Sequence, residues 1–191
     1  YRDTPSSDYK KLSYLEWEDD IRLRKKSALT KWCEELKEDI LFHEFLQFMF
    51  YTQWGKLKKY ANDNGIKIVG DIPIYVSLDS ADTWADPKLF QLDDKGYPTR
   101  VAGCPPDCFS EDGQLWGNPL YDWEYHAQTG YKWWIDRFSS CFELYDVVRV
   151  DHFRGFDEYY FLLPILTSFP RYTLFCNWDI YNSSIRFCSC V

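Results

Sequence analysis

The chain has 191 residues, 46% hydrophobic and 27% charged, with a formal net charge of −8. This is the composition of a globular domain with a real core rather than of a disordered segment. A phosphate-binding surface needs clustered Lys and Arg, and the one short basic run, Arg22 to Lys26, reads as a solvated helix face, which argues against nucleic acid as a partner.

Other bulk features narrow the class. No apolar run reaches the ~20 residues of a membrane helix, so no membrane partner is expected, and no signal peptide is visible. Cys104 and Cys108, like Cys188 and Cys190, lack the second ligand pair that a zinc site needs. No metal or cofactor is therefore expected. Seven Cys cannot all pair within one chain, and they read as thiols in a reducing compartment. The cytoplasm is the default, with a plastid the alternative for a eukaryotic source. The chain opens at Tyr1 and its one Met is Met49, so it is expected to be part of a longer product whose targeting signals lie upstream. Aromatics reach 20%. Tyr and Trp pair an apolar body with a polar handle. Such rings either fill a core or line a site for ligands with apolar faces and hydroxyl edges, sugars among them.

In chain order, residues 1 to about 12 are polar and read as a loop. Leu15 to Lys26 predicts a short helix. From about Lys31 to Asn62 the apolar residues recur at spacings of three and four, with further apolar residues near Phe48. That pattern predicts a long helix buried on most sides, and Asn64-Gly65 stops it. Ile66 to Val76 then predicts a strand that ends near Pro73, since Pro cannot donate to a central ladder. Asp71 and Tyr75 fall near its C-terminal end. Asp79-Ser80 can cap a short helix through Trp84, and Asp93 to Pro98 reads as a turn. Ala102 to Pro119 is rich in Gly, Pro and polar residues and predicts a long lid or binding loop without regular structure. Thr129 to Leu144 predicts an amphipathic helix.

That helix feeds the segment Asp146 to Phe156, DVVRVDHFRGF. Val147, Val148 and Val150 predict a strand covered on both faces. Arg149 and Asp151 are two apart and so project to one side of it. An Arg beside an Asp favours the ionised carboxylate, either as a structural salt bridge or as a catalytic arrangement. The order helix, strand, long loop, helix, strand implies parallel strands and an α/β fold. In such folds sites form at the C-terminal strand ends, where Asp71 and Asp151 both fall.

Gly70 to Val76 (GDIPIYV), Asp79 to Pro87 (DSADTWADP), Pro105 to Tyr121 (PPDCFSEDGQLWGNPLY) and Val147 to Phe156 (VVRVDHFRGF) resemble the 4-alpha-glucanotransferases of glycoside hydrolase family 77. The helical stretch Phe42 to Ile66 is similar to that family too. The resemblance runs over about residues 1 to 161. It implies the early-to-middle strands of a (β/α)₈ barrel with a long βα loop insertion. It also implies transfer of α-1,4-glucan segments between maltooligosaccharides, with retention at the anomeric carbon. On this resemblance Asp151 is the nucleophile, Arg149 holds it ionised and oriented, and His152 contacts sugar on the donor side. Asp71 matches the family's first acidic strand-end position. Asp107, Phe109, Gln114 and Trp116 line the acceptor side.

The sequence departs from the family pattern in two places. Cys108 stands where the family usually has Tyr, which implies an altered acceptor contact. After about Phe161 the resemblance fades into a divergent tail, residues 162–191, and the later strands that carry the acid/base Glu and the second Asp are not found. Glu158 does not match the acid/base position. The isolated chain is therefore expected to be poorly stable and inactive. Two other readings stay open: a glucan-binding fragment that holds sugar through Trp84, Trp116 and neighbouring rings, and a retaining α-glucosidase of the same superfamily.

Overall fold

The computed structural model describes residues 13–106, 108, 111–156 and 160–162. Ser13 opens the described chain with a capping box around the 3₁₀ turn Tyr14–Glu16, followed by α1 (Asp19–Arg22) and α2 (Lys26–Glu35). The long helical pattern breaks at Leu36, and α3 runs Lys37–Asp63. Nothing in the sequence marks that break. The predicted stop holds: Asn64 is the C-cap and Gly65 follows at φ 74°.

α3 corrects one expectation. Its apolar residues were expected to be covered on most sides, yet no residue of α3 is fully buried. Phe45 is 55% exposed and Phe48 66% exposed. Periodicity shows that a face is apolar, not what covers it. The last turns do make contact. Trp54 Nε1 donates to the Leu144 carbonyl at 2.8 Å, and Lys58 Nζ donates to the carbonyls of Phe142, Glu143 and Tyr145 at 2.9, 3.1 and 3.0 Å. Carbonyls at a helix C-terminus lack intrahelical partners, and a Lys both satisfies them and complements the dipole.

β1 (Val69–Pro73) and β4 (Val147–Asp151) pair in parallel. One face, with Gly70 and Ile72, is buried, and Tyr145 lies against it. A Cβ at Gly70 would sit 2.1 Å from the Tyr145 ring, so only Gly allows that approach. The other face carries Val69, Asp71, Val147, Arg149 and Asp151, all exposed. The expectation that β4 is covered on both faces therefore does not hold among the described residues: its pattern alternates exposed with half-buried.

Ser80 caps α4 (Ala81–Ala85) as predicted, accepting from the Thr83 N–H. Asp93 closes the predicted turn by accepting from the N–H groups of Lys95 and Tyr97. The stretch expected to be structureless is instead a β-ribbon. β2 (Val101–Cys104) pairs antiparallel with β3 (Gln114–Pro119), with a bulge between Val101 and Gly103. β5 (Tyr160–Leu162) adds to the other edge of β2. Short strands containing Gly carry too weak an alternation to be seen without their partners. α6 (Lys132–Leu144) fills the helix predicted over Thr129 to Leu144, and α5 (Trp123–Gln128), which the sequence reading did not mark, precedes it, with Gly130 and Tyr131 at positive φ between them.

The core lies between the ribbon, the exit of β1 and α6. It contains Ile74, Tyr75, Leu89, Phe90, Ala102, Leu120, Tyr121, Trp134 and Phe161. Each fully buried large apolar side chain contributes roughly 2 kcal/mol over exposure. Tyr121 is the hub. Its hydroxyl donates to the Ile74 carbonyl at 2.6 Å and accepts from Arg137 at 3.3 Å, and its ring stacks on Tyr75 at 6.1 Å. Burial pushes the Tyr121 phenol well above its ordinary range.

His126 is a buried histidine beside this core. It is fully buried, with Nε2 3.2 Å from the Leu89 carbonyl and no hydrogen-bond partner for Nδ1 among the described residues. Burial holds its pKa below the ordinary value. The unfolded chain then binds the proton more readily than the folded one. Stability from this group is complete above about pH 6.5 and falls as the pH drops below it. The urea midpoint of the chain is expected to decline from about pH 7.5 to about pH 5.5. The decline is expected to be smaller in His126→Gln. Equal declines in the two proteins would remove His126 as the cause.

Candidate active site at the ends of β1 and β4

The site starts with a register. Asp71 pairs with Arg149 and Pro73 with Asp151 across the parallel strands. On a strand alternate residues share a face, so Asp71, Arg149 and Asp151 project together. Arg149 forms a two-pronged bridge to Asp71, Nε to Oδ1 at 3.0 Å and Nη2 to Oδ2 at 2.6 Å. The same Nη2 reaches Asp151 Oδ1 at 3.5 Å. Arg149 was expected to serve Asp151; its main partner is Asp71. The Arg149 guanidinium beside Asp71 holds that carboxyl below the usual carboxylate range and is itself pushed up by it.

The register is pinned at the other end of the strands. Asp146 Oδ2 accepts from the Ile68 N–H and from Asn62 Nδ2, both at 2.8 Å, and Lys58 lies 3.9 Å from Oδ1. The Ile68 N–H, then Asn62, depress the Asp146 carboxyl. Sequence reasoning missed Asn62, Lys58 and Asp146 as positioning groups. The one available signal was an acidic residue directly before β4.

Beyond β4 the chain turns sharply. His152 sits at φ 52°, in the left-handed region. The Gly155 N–H donates to the His152 carbonyl at 2.9 Å. A Cβ on Gly155 would lie 2.9 Å from Ile74 Cδ1 and 3.2 Å from the Tyr75 hydroxyl, so any side chain there would force its neighbours to shift where the turn wraps the exit of β1. Trp116 comes in from β3. Its ring meets the His152 imidazole edge to face, with centroids 4.9 Å apart and planes at 89°. Its indole N–H donates to Gln114 at 2.9 Å. Asn118 fastens the same strand to the β1 exit by donating to the Val76 carbonyl at 2.8 Å.

Of the candidate residues, the structure therefore brings Asp71, Arg149, Asp151, His152, Trp116 and Gln114 to one edge of the molecule. Asp107 and Phe109 lie outside the described residues, as does Glu158; Cys108 is exposed. Trp84 is placed elsewhere. Its N–H donates to the Ile21 carbonyl at 3.1 Å, Trp17 meets it edge-on at 5.6 Å, and Arg24 covers the ring at 5.5 Å. It clamps the segment around α1 and is spent on that contact. Among the described residues no group of three His, Cys, Asp or Glu side chains is arranged to hold a metal ion. No described helix is long and apolar enough to cross a membrane.

A family model described as 4-alpha-glucanotransferase, glycoside hydrolase family 77, matches residues 4–165. The chain belongs to this family. It is 56% identical over 150 residues to a 4-alpha-glucanotransferase of Streptococcus pneumoniae serotype 4, covering 78% of this chain and 30% of that protein. It is 52% identical over 150 residues to one from Clostridium butyricum, covering 78% of this chain and 31% of that protein. It is 49% identical over 144 residues to a chloroplastic/amyloplastic enzyme of Arabidopsis thaliana, covering 75% of this chain and 25% of that protein. Among solved structures, the amylomaltase of Streptococcus agalactiae in complex with acarbose superposes with a TM-score of 0.77 at 48% identity. That match covers 81% of this chain and 31% of the other. The chain thus spans about 30% of the length of the curated relatives it matches.

The bridge across the family member's two strands is open to a direct check. In Arg149→Gln the Asp71 carboxyl is expected to titrate higher, back toward the ordinary Asp value of about 3.9. Carboxyl ¹³C NMR over an acid titration reads this. An unchanged Asp71 midpoint would show that Arg149 is not what depresses it.

Proposed function

We propose that this chain carries the nucleophile and part of the acceptor side of a retaining 4-alpha-glucanotransferase. One observation carries the reading: Asp151 stands at the C-terminal end of β4, touched by Arg149 and followed directly by His152, whose ring meets Trp116. This occurs in a chain whose relatives are named for α-1,4-glucan transfer and whose structural neighbour holds acarbose. The substrate class is α-1,4-glucans and maltooligosaccharides.

The proposed chemistry is a double displacement. A carboxylate oxygen of Asp151 attacks the anomeric carbon as the glycosidic C–O bond breaks, and the leaving oxygen takes a proton from a second carboxyl group. An acceptor hydroxyl then attacks the same carbon. It returns a proton to that second group, and the bond to Asp151 breaks. Retaining chemistry sets the two carboxyl groups about 5–5.5 Å apart. Asp71 is unsuited to be the acid. A general acid must hold its proton near neutrality, whereas Arg149 depresses Asp71. In this reading Asp71 positions Arg149, and the acid comes from another part of the family fold. By the family resemblance Asp107 and Phe109 are assigned to the acceptor side together with Gln114 and Trp116.

The architecture proposed for the whole fold is a (β/α)₈ barrel, with residues 1–161 belonging to it and 162–191 a divergent tail. Two features support it. The exposed face of β1 and β4 is apolar at its start, Val69 and Val147, and charged at its end, Asp71, Arg149 and Asp151. A barrel interior packed below a strand-end site has that division. The apolar surface of α3, with Phe42, Phe45 and Phe48, suits an interface with further elements of such a fold. The cytoplasm, or a plastid, fits a chain with this family relationship.

The test is a chimaera in which residues 13–156 replace the matching segment of the Streptococcus pneumoniae relative. It is expected to disproportionate maltotriose and release glucose. Asp151→Asn is expected to lower the rate by about a thousand-fold or more without changing the circular dichroism spectrum. A folded Asp151→Asn chimaera with undiminished transfer would refute the nucleophile assignment. The 191-residue chain alone is expected to release no glucose from maltotriose.

A further inference from the structure

Trp116 is read above as a wall of the acceptor side, but its geometry gives it a second task. It does not stand free in the site. The indole N–H is held by Gln114, and the ring is set against the imidazole of His152 at 4.9 Å and 89°. Behind it lies Tyr75 at 6.1 Å, which stacks in turn on the buried Tyr121. The strand bearing Trp116 is tied to the β1 exit through Asn118. Trp116 is thus braced from the core, while His152 follows Asp151 directly in a left-handed backbone conformation. Gly155 closes the other side, its Cβ direction 3.3 Å from His152 Cδ2. His152 is half-buried between the two.

We propose that Trp116 is a positioning residue acting through His152: it fixes the plane of the imidazole and keeps water from one side of it. His152 then meets a sugar hydroxyl as a neutral hydrogen-bonding group, not as a second cation beside Asp151. This rests on the reading of His152 as a sugar contact. Among the described residues the charged groups around the imidazole are Asp151, which favours its protonation, and Arg154, which opposes it. The Asp71–Arg149 pair stands beyond Asp151, the Tyr75 hydroxyl lies across Gly155, and β3 brings only the uncharged Trp116 and Gln114. Loss of hydration is the largest influence and holds the His152 pKa below the ordinary value, outweighing Asp151. The alternative effect of an indole is attraction of the imidazolium to its π face, which would act in the opposite direction. The two predict opposite signs when the indole is removed.

The experiment is an NMR titration of the ¹⁵N-labelled chimaera described above, which needs neither sugar nor turnover. His152 is assigned by its absence in His152→Asn. In Trp116→Ala its titration midpoint is expected to move up, and in Trp116→Phe to stay between Ala and the parent. His126, enclosed by Tyr121, Trp123 and Trp133, is the internal control. A general loosening of the fold moves both histidines, whereas loss of the proposed contact moves His152 alone. Should Trp116→Ala fail to fold, Gln114→Leu frees the indole and leaves the ring in place, and its His152 midpoint is expected to rise. A midpoint that falls, stays fixed, or moves only together with His126 overturns the proposal. Because no sugar is present, such a failure would leave the assignment of His152 as a sugar contact to the transfer assay.

Discussion

The parallel register of β1 and β4 is the constraint on which the site depends. Side chains on a strand alternate faces, so a slip of one residue would exchange the two faces. Arg149 and Asp151 would then be driven into the side covered by Ile72 and Tyr145, where unpaired charge is costly. Asp146 prevents the slip, because one carboxylate oxygen holds both the Ile68 N–H at the entry of β1 and Asn62 at the end of α3. Lys58 joins it by tying down the last carbonyls of α6. The passage from α3 into β1 thus meets the passage from α6 into β4, which lies 78 positions further along the chain, where both strands begin. The charged groups meet where both strands end.

The second anchor is Tyr121. Arg137, on α6, donates to the Pro73 carbonyl at 2.8 Å and to the Tyr121 hydroxyl, while Tyr121 donates to the Ile74 carbonyl. These bonds fix the chain as it leaves β1, just beyond Asp71. The Arg137 guanidinium also lies over Trp133 and Trp134, at 5.0 and 5.3 Å. The aromatic side chains gathered around Tyr121 therefore hold the scaffold. Of the Trp residues considered for sugar contact, Trp116 reaches the candidate site and Trp84 is consumed by a structural clamp.

What was legible in the sequence follows from the range of the interaction. Local signals gave β1 ending near Pro73, the Asn64-Gly65 stop, the Ser80 cap and the common face of Arg149 and Asp151. Pairing across strands was not legible. Parity placed Arg149 beside Asp151, but only the register shows that its fork goes to Asp71. The ribbon of β2 and β3 was read as an irregular loop because its Gly and Pro residues signal turns, while its ladder depends on partners 10 to 18 positions away. The apolar surface of α3 was read as buried for a related reason: an apolar face is written in the chain, and its covering is not.

The division of Arg149 between two carboxylates has a chemical consequence for the proposed reaction. A guanidinium fork matches one carboxylate in a two-pronged bridge. Spent on Asp151, that fork would occupy both oxygens of the proposed nucleophile and stabilise its negative charge before attack. Spent on Asp71, it leaves Asp151 with one long contact of 3.5 Å to a single oxygen. Asp71 thereby absorbs the strong bonding capacity of Arg149 and holds it rigid, so its positive charge stays beside Asp151 without engaging it fully. A nucleophile needs to be oriented and ionised, but it must also be able to give up its electron pair. The pairing of Asp71 with Arg149 across the strands reconciles these demands, and it does so only in the register that Asp146 enforces.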